Sequence, residues 1–315
     1  MIGRNYIAAA SGGVVSAAAA GATVGLRRWR AASGRRLEAG SQLLELACGI
    51  VEVCDSGPLQ TRVRAEETPV VLVVHGTPGG YDQARVMAAG LQLQAYRVVS
   101  VSRPGYLRTP LTSGPTPEAQ ADLYAQVLDA IGAAEAIIVA VSGGGPVGIQ
   151  FALRHPARCA RLVLLEALVA TFTEREMYAA LRPTERVGKW FGEKMSQHDG
   201  VIAAYLLVAP ATDATRAVIS SSARFDLRQA GYEVDMALFE DVPDYPFEQI
   251  SAPTLVIHGT ADTDVPFEQA QLVARRVPGA RLVPVEGADH LTLWRHRVVG
   301  EEVRAFVAPA DIFSD

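Results

Sequence analysis

Unbroken apolar runs that stop at glycine, proline or charged residues recur along this chain. Six of them stand out: PVVLVVHG, YRVVSVSRPG, AEAIIVAVSGGG, ARLVLLEA, APTLVIHGTAD and ARLVPVEGADH. Strands covered on both faces have this form, because neither set of side chains meets water. Upstream of the runs, CGIVEVCDSG and RVRAE predict a short β-hairpin.

Segments whose apolar residues recur at helical spacing lie between several of these runs. The clearest extends from Pro117 to Ile131 and ends at Gly132. Strands that alternate with helices predict an α/β fold, a mostly parallel central sheet with helices on both faces. Residues 171–249 interrupt the alternation, since they contain only short helical segments. We therefore predict a core of residues 37–170 and 248–315, with an inserted helical cap at 171–247 over the carboxyl ends of the strands.

The charge is unevenly distributed, although the net value is only −5 over 315 residues. Six of the 29 basic residues lie within the first 36 residues, where there is no acid. The rest of the chain therefore carries 23 basic against 34 acidic residues. So acidic a body is a poor electrostatic match for nucleic acid, which we do not expect as a partner.

The first 36 residues read as an N-terminal extension. Ile7 to Leu26 carries no charge, Arg4 precedes it and RRWRAASGRR follows it. A weak membrane anchor, a cleaved signal and an ordinary extension all stay open. As an anchor it would hold the catalytic body on the cytoplasmic side, because positive flanks stay there. We expect a cytoplasmic protein with possible weak membrane association, and reduced thiols at the three cysteines.

Ser142 lies in VAVSGGGPVG, directly after an apolar run and before a helical segment. A phosphate-binding loop would need a lysine after the glycines, and a dinucleotide loop would need a better placed acid. A serine on a tight strand-to-helix turn fits best, because such a turn needs small residues two positions away on either side. Ala140 and Gly144 meet that need, and Pro146 suits the first turn of a helix.

A nucleophilic serine needs a base and an orienting carboxylate, expected at later strand ends in the order Ser, Asp or Glu, His. Asp262 and His290 follow the fifth and sixth apolar runs and are our candidates. Asp264 and Glu166 compete with Asp262 for the acid role. Asp289, next to His290, is expected to cap the following helix instead.

Donors for a developing oxyanion are expected from two backbone N–H groups. Gly143 follows the nucleophile, and Thr77 lies in the loop HGTPGGYDQ after the first apolar run. We expect His75 to brace this loop rather than to react.

Taken together, these segments resemble the α/β-hydrolase superfamily. The matching pieces are HGTPGG, SRPGYLRTP, VSGGGPVG, RHPARCARLVLLEA, LVIHGTADTDVP and EGADHL, in family order over about residues 47–308. The resemblance implies Ser142 as nucleophile, Asp262 as acid, His290 as base and a helical cap, with no metal or organic cofactor. HGTPGG and SGGGP look most like the capped esterase and proline-iminopeptidase-like branch. Ala140, Val141 and Leu107 depart from the usual residues without removing a catalytic group.

The expected activity is hydrolysis of a carboxylic ester of a small or medium apolar substrate through an acyl-enzyme. A proline-iminopeptidase-like aminopeptidase is the alternative, and it would need a cap carboxylate for the substrate amine. Candidates for that carboxylate are Glu174, Glu185, Glu193 and Asp199. Carbon–carbon hydrolysis, acyl transfer and a non-catalytic binding protein of this fold also stay open.

The cap also carries apolar side chains that either line an acyl pocket or simply pack the cap onto the core. They are Tyr178, Trp190, Phe191, Tyr205, Leu206 and Phe225. The partner is therefore expected to be a small-molecule ester or amide, and the oligomeric state is open.

Overall fold

A computed structural model describes residues 21, 23–57, 69–93, 95–208 and 214–308. Eight strands form one sheet: β1 Gln42–Leu46, β2 Gly49–Asp55, β3 Val70–Val74, β4 Arg97–Val101, β5 Ala136–Val141, β6 Cys159–Leu165, β7 Thr254–Gly259 and β8 Arg281–Val285. Their order across the sheet is β1-β2-β4-β3-β5-β6-β7-β8. The six strands β3 to β8 pair in parallel. The pairs β1 with β2 and β2 with β4 are antiparallel.

Helices cover both faces of the sheet. One helix, α1, runs over 23–39. The others are α2 Tyr81–Gly90, α3 Pro117–Ala130, α4 Gly145–Arg154, α5 Glu174–Ala180, α6 Pro183–Ser196, α7 Asp199–Val208, α8 Ala214–Ser221, α9 Gln229–Phe239, α10 Phe267–Arg276 and α11 Arg297–Val307. The structure thus has the predicted α/β architecture.

The core is split by the sheet into two apolar layers. In β3, Val70, Leu72 and Val74 face one layer, which also contains residues of α3, α4 and α10. Val71 and Val73 face the other layer, together with residues of α2 and α11. This is why the strand reads as an unbroken apolar run: alternate side chains point to opposite faces, and both faces are covered.

The N-terminal hairpin forms from a different pair of segments than predicted. The partner of Gly49–Asp55 is Gln42–Leu46, which precedes it, and Arg62 to Glu66 lies outside the described residues. β1 is an edge strand with no fully buried side chain, so its sequence carries little of the apolar signal that marks the inner strands.

Five helices, α5 to α9, lie between β6 and β7 and are called here the helical insertion. Among its described residues there is no strand, as the sequence predicted for this region. Helix α1 contacts the insertion, because the Arg30 side chain donates to Asp199 of α7 at 2.6 Å. The division of the chain at residue 36 stays a prediction, although residues 23–36 belong to a folded helix.

Most of the predicted anchor Ile7–Leu26 lies outside the described residues. Within the part of the chain that is described, no helix combines the length and the apolar character that crossing a bilayer requires.

Candidate active site

Ser142 lies on the turn between β5 and α4, in the left-handed backbone region with φ +50°. Such a conformation is uncommon outside glycine and often marks a functional site. The surroundings leave no room for larger neighbours. A Cβ on Gly144 would lie 2.7 Å from the His75 carbonyl oxygen and 2.8 Å from that of Val74. Backbone packing thus requires glycine at position 144, and the turn places the Ser142 hydroxyl at the end of the sheet.

His290 connects the serine to a carboxylate. The Ser142 hydroxyl lies 3.0 Å from His290 Nε2, to which it donates in the neutral imidazole. On the other side, His290 Nδ1–H donates to Asp262 Oδ2 at 2.7 Å. Ser142 follows β5, Asp262 follows β7 and His290 follows β8, so the carboxyl ends of three parallel strands bring the groups together. The structure thus forms the predicted Ser142–His290–Asp262 chain of hydrogen bonds.

Asp262 is held by its own loop. Its Oδ1 accepts the backbone N–H groups of Asp264 at 2.8 Å and Val265 at 2.9 Å. The fully buried His258 donates from Nε2 to the Val265 carbonyl oxygen at 2.8 Å and lies 3.3 Å from Asp262 Oδ2. Burial would raise the pKa of Asp262, but His290 and these donors outweigh it and bring the pKa below its usual value. Asp262 is therefore ionised at neutral pH.

The competing carboxylates have different contacts. Asp264 forms an ion pair with Lys189 of α6 and does not reach His290. Asp289 accepts the N–H groups of Leu291 and Thr292 and so closes the turn that follows it. It was predicted to cap the next helix, but that short helix begins after Thr292 and has no side-chain cap. Glu166 lies closer, with Oε2 4.0 Å from His290 Nδ1, beyond hydrogen-bonding distance.

The three ionisable groups influence one another. Burial alone would lower the pKa of His290, but the carboxyl groups of Glu166 and Asp262 raise it above its ordinary value. Burial raises the pKa of Glu166 well above its ordinary value; His290 opposes this shift and Asp262 adds to it. Because they lie so close, the three groups titrate as one unit rather than independently.

The two predicted oxyanion donors lie side by side. A Cβ on Gly143 would be 3.2 Å from the Thr77 Cβ and 2.8 Å from the Phe239 ring. Within the described residues, neither the Gly143 N–H nor the Thr77 N–H donates to a protein acceptor. Two unpaired donors next to the serine hydroxyl can stabilise negative charge on a substrate oxygen.

A buried ion pair that the sequence did not reveal supports the Thr77 loop. Arg103 donates to Asp235 of α9 through both terminal nitrogens, at 2.8 Å for Nη1. The hydroxyls of Thr77 and Tyr106 donate to the same carboxylate. No local pattern in the sequence indicates this ion pair, because Arg103 and Asp235 are 132 residues apart.

His75 braces this loop in the way its sequence position suggested. Its Nε2 accepts the Arg103 N–H at 2.9 Å and its Nδ1–H donates to the Gly76 carbonyl at 2.7 Å. Burial, followed by the Arg103 charge, lowers the pKa of His75 well below its ordinary value. The imidazole is thus neutral and fully engaged in the loop.

A cavity of about 200 Å³ lies between the helical insertion and the core, with Gly143 in its wall. Apolar side chains from both sides line it, among them Val147 of α4 and Val234 and Leu238 of α9. These are not the six apolar insertion residues singled out in the sequence: Trp190, for example, is 52% exposed. The side chain of Phe191 lies outside the described residues.

The carboxylates considered for amine binding are engaged elsewhere or not described. Asp199 is buried and accepts from Arg30 and from the Arg224 N–H. Glu185 pairs with Arg182 on the surface. The side chains of Glu174 and Glu193 lie outside the described residues.

The doubly covered parallel sheet, with a serine–histidine–aspartate chain at its strand ends, defines the protein as a hydrolytic enzyme. A sequence model described as alpha/beta hydrolase fold matches residues 69–296, and the chain belongs to that family. It is 25% identical over 268 residues to the uncharacterized hydrolase YcgS of Bacillus subtilis, covering 78% of this chain and 93% of the relative.

Two further relatives extend this comparison. The pimeloyl-[acyl-carrier protein] methyl ester esterase of Aromatoleum aromaticum is 28% identical over 213 residues, covering 64% of this chain and 82% of the relative. Among solved structures, an alpha/beta hydrolase fold protein from Nakamurella multipartita superposes with a TM-score of 0.64 at 29% identity. That likeness covers 84% of this chain and 98% of the other.

Proposed function

We propose that this enzyme is a serine hydrolase that cleaves a carboxylic ester of a small or medium apolar substrate through an acyl-enzyme. One observation carries the proposal: the continuous chain from Ser142 Oγ to His290 Nε2, 3.0 Å, and from His290 Nδ1 to Asp262, 2.7 Å. A serine hydroxyl becomes a useful nucleophile when an oriented base can take its proton as it attacks.

The reaction follows from these positions. His290 Nε2 takes the Ser142 proton while Oγ attacks the ester carbonyl carbon. Negative charge develops on the carbonyl oxygen, where the N–H groups of Gly143 and Thr77 stabilise it. The imidazolium then gives its proton to the departing alcohol, and the acyl group stays on Ser142. Water attacks the acyl-enzyme with His290 again as base, and the acid is released.

Asp262 contributes through His290. Its carboxylate keeps the Nδ1–H tautomer, so that Nε2 faces the serine without a proton, and it stabilises the imidazolium that forms in each half-reaction. The ionised state of Asp262 and the donors that hold its other oxygen support this role.

The character of the cavity next to Gly143 supports a compact apolar acyl group. Its volume of about 200 Å³ and its lining by Val147, Val234 and Leu238 suit a short hydrocarbon portion. The relative named as a methyl ester esterase also supports an ester rather than an amide as the substrate.

The aminopeptidase alternative has less support. Both proposed amine-binding carboxylates whose side chains are described, Asp199 and Glu185, are paired with arginines. Asp235, which lines the cavity, is neutralised by Arg103. These three carboxylates therefore offer no uncompensated charge to a free substrate amine. Glu118, also in the cavity wall, accepts from the Gln150 amide at 2.9 Å and forms no ion pair among the described residues, so it is the carboxylate on which this alternative depends.

Fluorophosphonate labelling tests the proposal, because this probe reacts with a serine that a base activates next to an oxyanion site. We expect covalent labelling of the wild type, none of Ser142→Ala, and wild-type labelling of Ser251→Ala, an exposed serine far along the chain. Hydrolysis of p-nitrophenyl acetate, butyrate and octanoate should fall by roughly 10⁴-fold or more in Ser142→Ala. Unlabelled, folded wild-type protein would overturn the assignment.

A further inference from the structure

Glu166 combines two unusual features directly beside the proposed site. It follows β6, its backbone N–H donates to the Ile257 carbonyl of β7 at 3.0 Å, and it is completely buried. Its φ of +48° lies in the left-handed region, where a residue with a long side chain is uncommon. Such strain persists where the surrounding structure enforces it, and it concentrates at functional sites.

The carboxyl group of Glu166 also lacks a well-formed hydrogen bond among the described residues. The Trp294 side chain lies beside it and favours its ionised form, but neither carboxyl oxygen has a partner in good hydrogen-bond geometry. Burying an unpaired carboxyl group costs several kcal/mol in general, so most buried polar groups are paired. An exception next to a reactive histidine calls for a functional reason.

Distance supplies that reason. Glu166 Oε2 lies 4.0 Å from His290 Nδ1, and Asp262 Oδ2 lies 2.7 Å from the same nitrogen. One carboxyl oxygen of each acid and one ring nitrogen of His290 all lie within 4.8 Å of one another. The imidazole therefore faces two acids, one already bonded and one a small side-chain movement away.

We propose that Glu166 is a reserve acid of this site: a positioning residue able to accept the His290 Nδ1–H in place of Asp262. This inference rests on the proposed function, because it concerns the base of that reaction. In the intact enzyme Asp262 holds the imidazole, and Glu166 keeps its proton as long as the imidazole is neutral.

The burial of Glu166 and the charges around it explain why it is protonated while Asp262 is ionised. Asp262 and Asp264 face it from the loop after β7, and His290 faces it from the loop after β8. Burial keeps Glu166 protonated, and repulsion from the Asp262 carboxylate adds to this effect. Removing the Asp262 charge ends that repulsion and leaves the imidazolium without its nearest carboxylate. Glu166 then releases its proton to solvent and pairs with the imidazolium that forms as Ser142 attacks.

Comparison of single and double variants tests the proposal. We expect Glu166→Gln to lose far less kcat/KM than Asp262→Ala, since Asp262 still holds the imidazole in that variant. We expect Asp262→Ala to lose about 10- to 100-fold, well short of the ~10⁴-fold typical when a triad loses its only acid. Asp262→Ala/Glu166→Gln should lose about 10⁴-fold, far more than the two single losses multiplied together.

A titration separates positioning from a structural role. The His290 ring signal, assigned by its absence in His290→Gln, should show in Asp262→Ala a pKa still held up by Glu166. In the double variant that pKa should drop by at least about one unit, because only burial then acts on it. A merely structural Glu166 would leave the titration unchanged between the two variants.

Failure of this inference differs from failure of the proposed function. If Asp262→Ala is as inactive as Ser142→Ala while thermal unfolding shows it folded, or if the double variant equals Asp262→Ala, the reserve acid is overturned although the serine hydrolase stands. If Ser142→Ala stays active, the proposed function itself falls. Asp262→Asn, which keeps an oxygen for the Asp264 and Val265 N–H groups, repeats the comparison should the alanine variant not fold.

Discussion

Arg103 and Asp235 form an ion pair whose side chains are only 2% and 4% exposed. Two charges of this kind are tolerable together, because each supplies the partner that water would otherwise provide. The pair also holds the Thr77 hydroxyl, so a contact between the core and α9 supports the loop that carries a proposed oxyanion donor. The same ion pair therefore contributes to the stability of the fold and to the position of the Thr77 loop.

Replacement of Asp235 is therefore expected to be costly. Asp235→Ala should lower the free energy of unfolding by about 3–5 kcal/mol, because it leaves the Arg103 charge buried without a partner. Urea unfolding measures this directly. Asp226→Ala, which removes a partly exposed partner of Arg224, should cost under about 1 kcal/mol. Equal losses in the two variants would contradict the argument.

The histidine should give the enzyme a distinct pH profile. Catalysis needs neutral His290, so kcat/KM is lost as the pH falls through the pKa of this residue. Despite the opposing effect of burial, Glu166 and Asp262 raise that pKa. The acid limb should therefore have its midpoint above the 6.5 typical of a free imidazole. Initial rates between pH 5 and 9, with circular dichroism to verify folding, decide this; a midpoint below 6.5 would contradict it.

The turn between β5 and α4 is specified by sterics, because it has no room for a side chain at Gly144. Three glycines follow Ser142 in this turn. The start of α3, the helix before β5, is also set locally, because the Thr116 hydroxyl accepts the Ala119 N–H at 3.3 Å. Helix α3 runs from Pro117 to Ala130, one residue shorter than predicted. Elements whose limits depend on local chemistry were predicted accurately.

Substitution of one glycine in this turn should damage the site. In Gly144→Ala the new methyl group would meet the carbonyl oxygens of His75 and Val74, which belong to the backbone and cannot rotate away. We expect a loss of about 1–3 kcal/mol in stability and at least 10-fold in kcat. Gly90→Ala is the matched control, since its methyl group would meet nothing within 4 Å. Similar behaviour of the two variants would refute the steric argument.

At the level of the whole chain, α1 links parts that are distant in sequence. Its Arg30 side chain bonds to Asp199 of the insertion, and the Arg30 carbonyl accepts from Arg224. Toward its end, the Leu37 carbonyl accepts the Tyr81 hydroxyl of the core at 2.7 Å. The helix thus ties the insertion to the sheet domain.

Replacement of Asp199 by alanine should weaken the contact between α1 and the helical insertion. Asp199→Ala leaves Arg30 and the Arg224 N–H without their acceptor, so amide hydrogen exchange over 23–39 should speed up by at least about 10-fold. Exchange in β3 should be unchanged. Asp122→Ala, which breaks an exposed pair with Arg154 on the core, serves as control and should leave 23–39 unaffected. No change in Asp199→Ala would show that α1 is held by other contacts.

Strand runs, the Ser142 turn and the later positions of Asp262 and His290 could all be read from the amino-acid order. The physical reason is that burial on both faces, tight-turn sterics and strand-end placement leave local marks in a sequence. Only the folded chain paired Asp264 with Lys189, placed Glu166 beside His290, and joined Arg103 to Asp235. Those outcomes depend on ångström distances between segments far apart in sequence, and apolar periodicity carries no information about them.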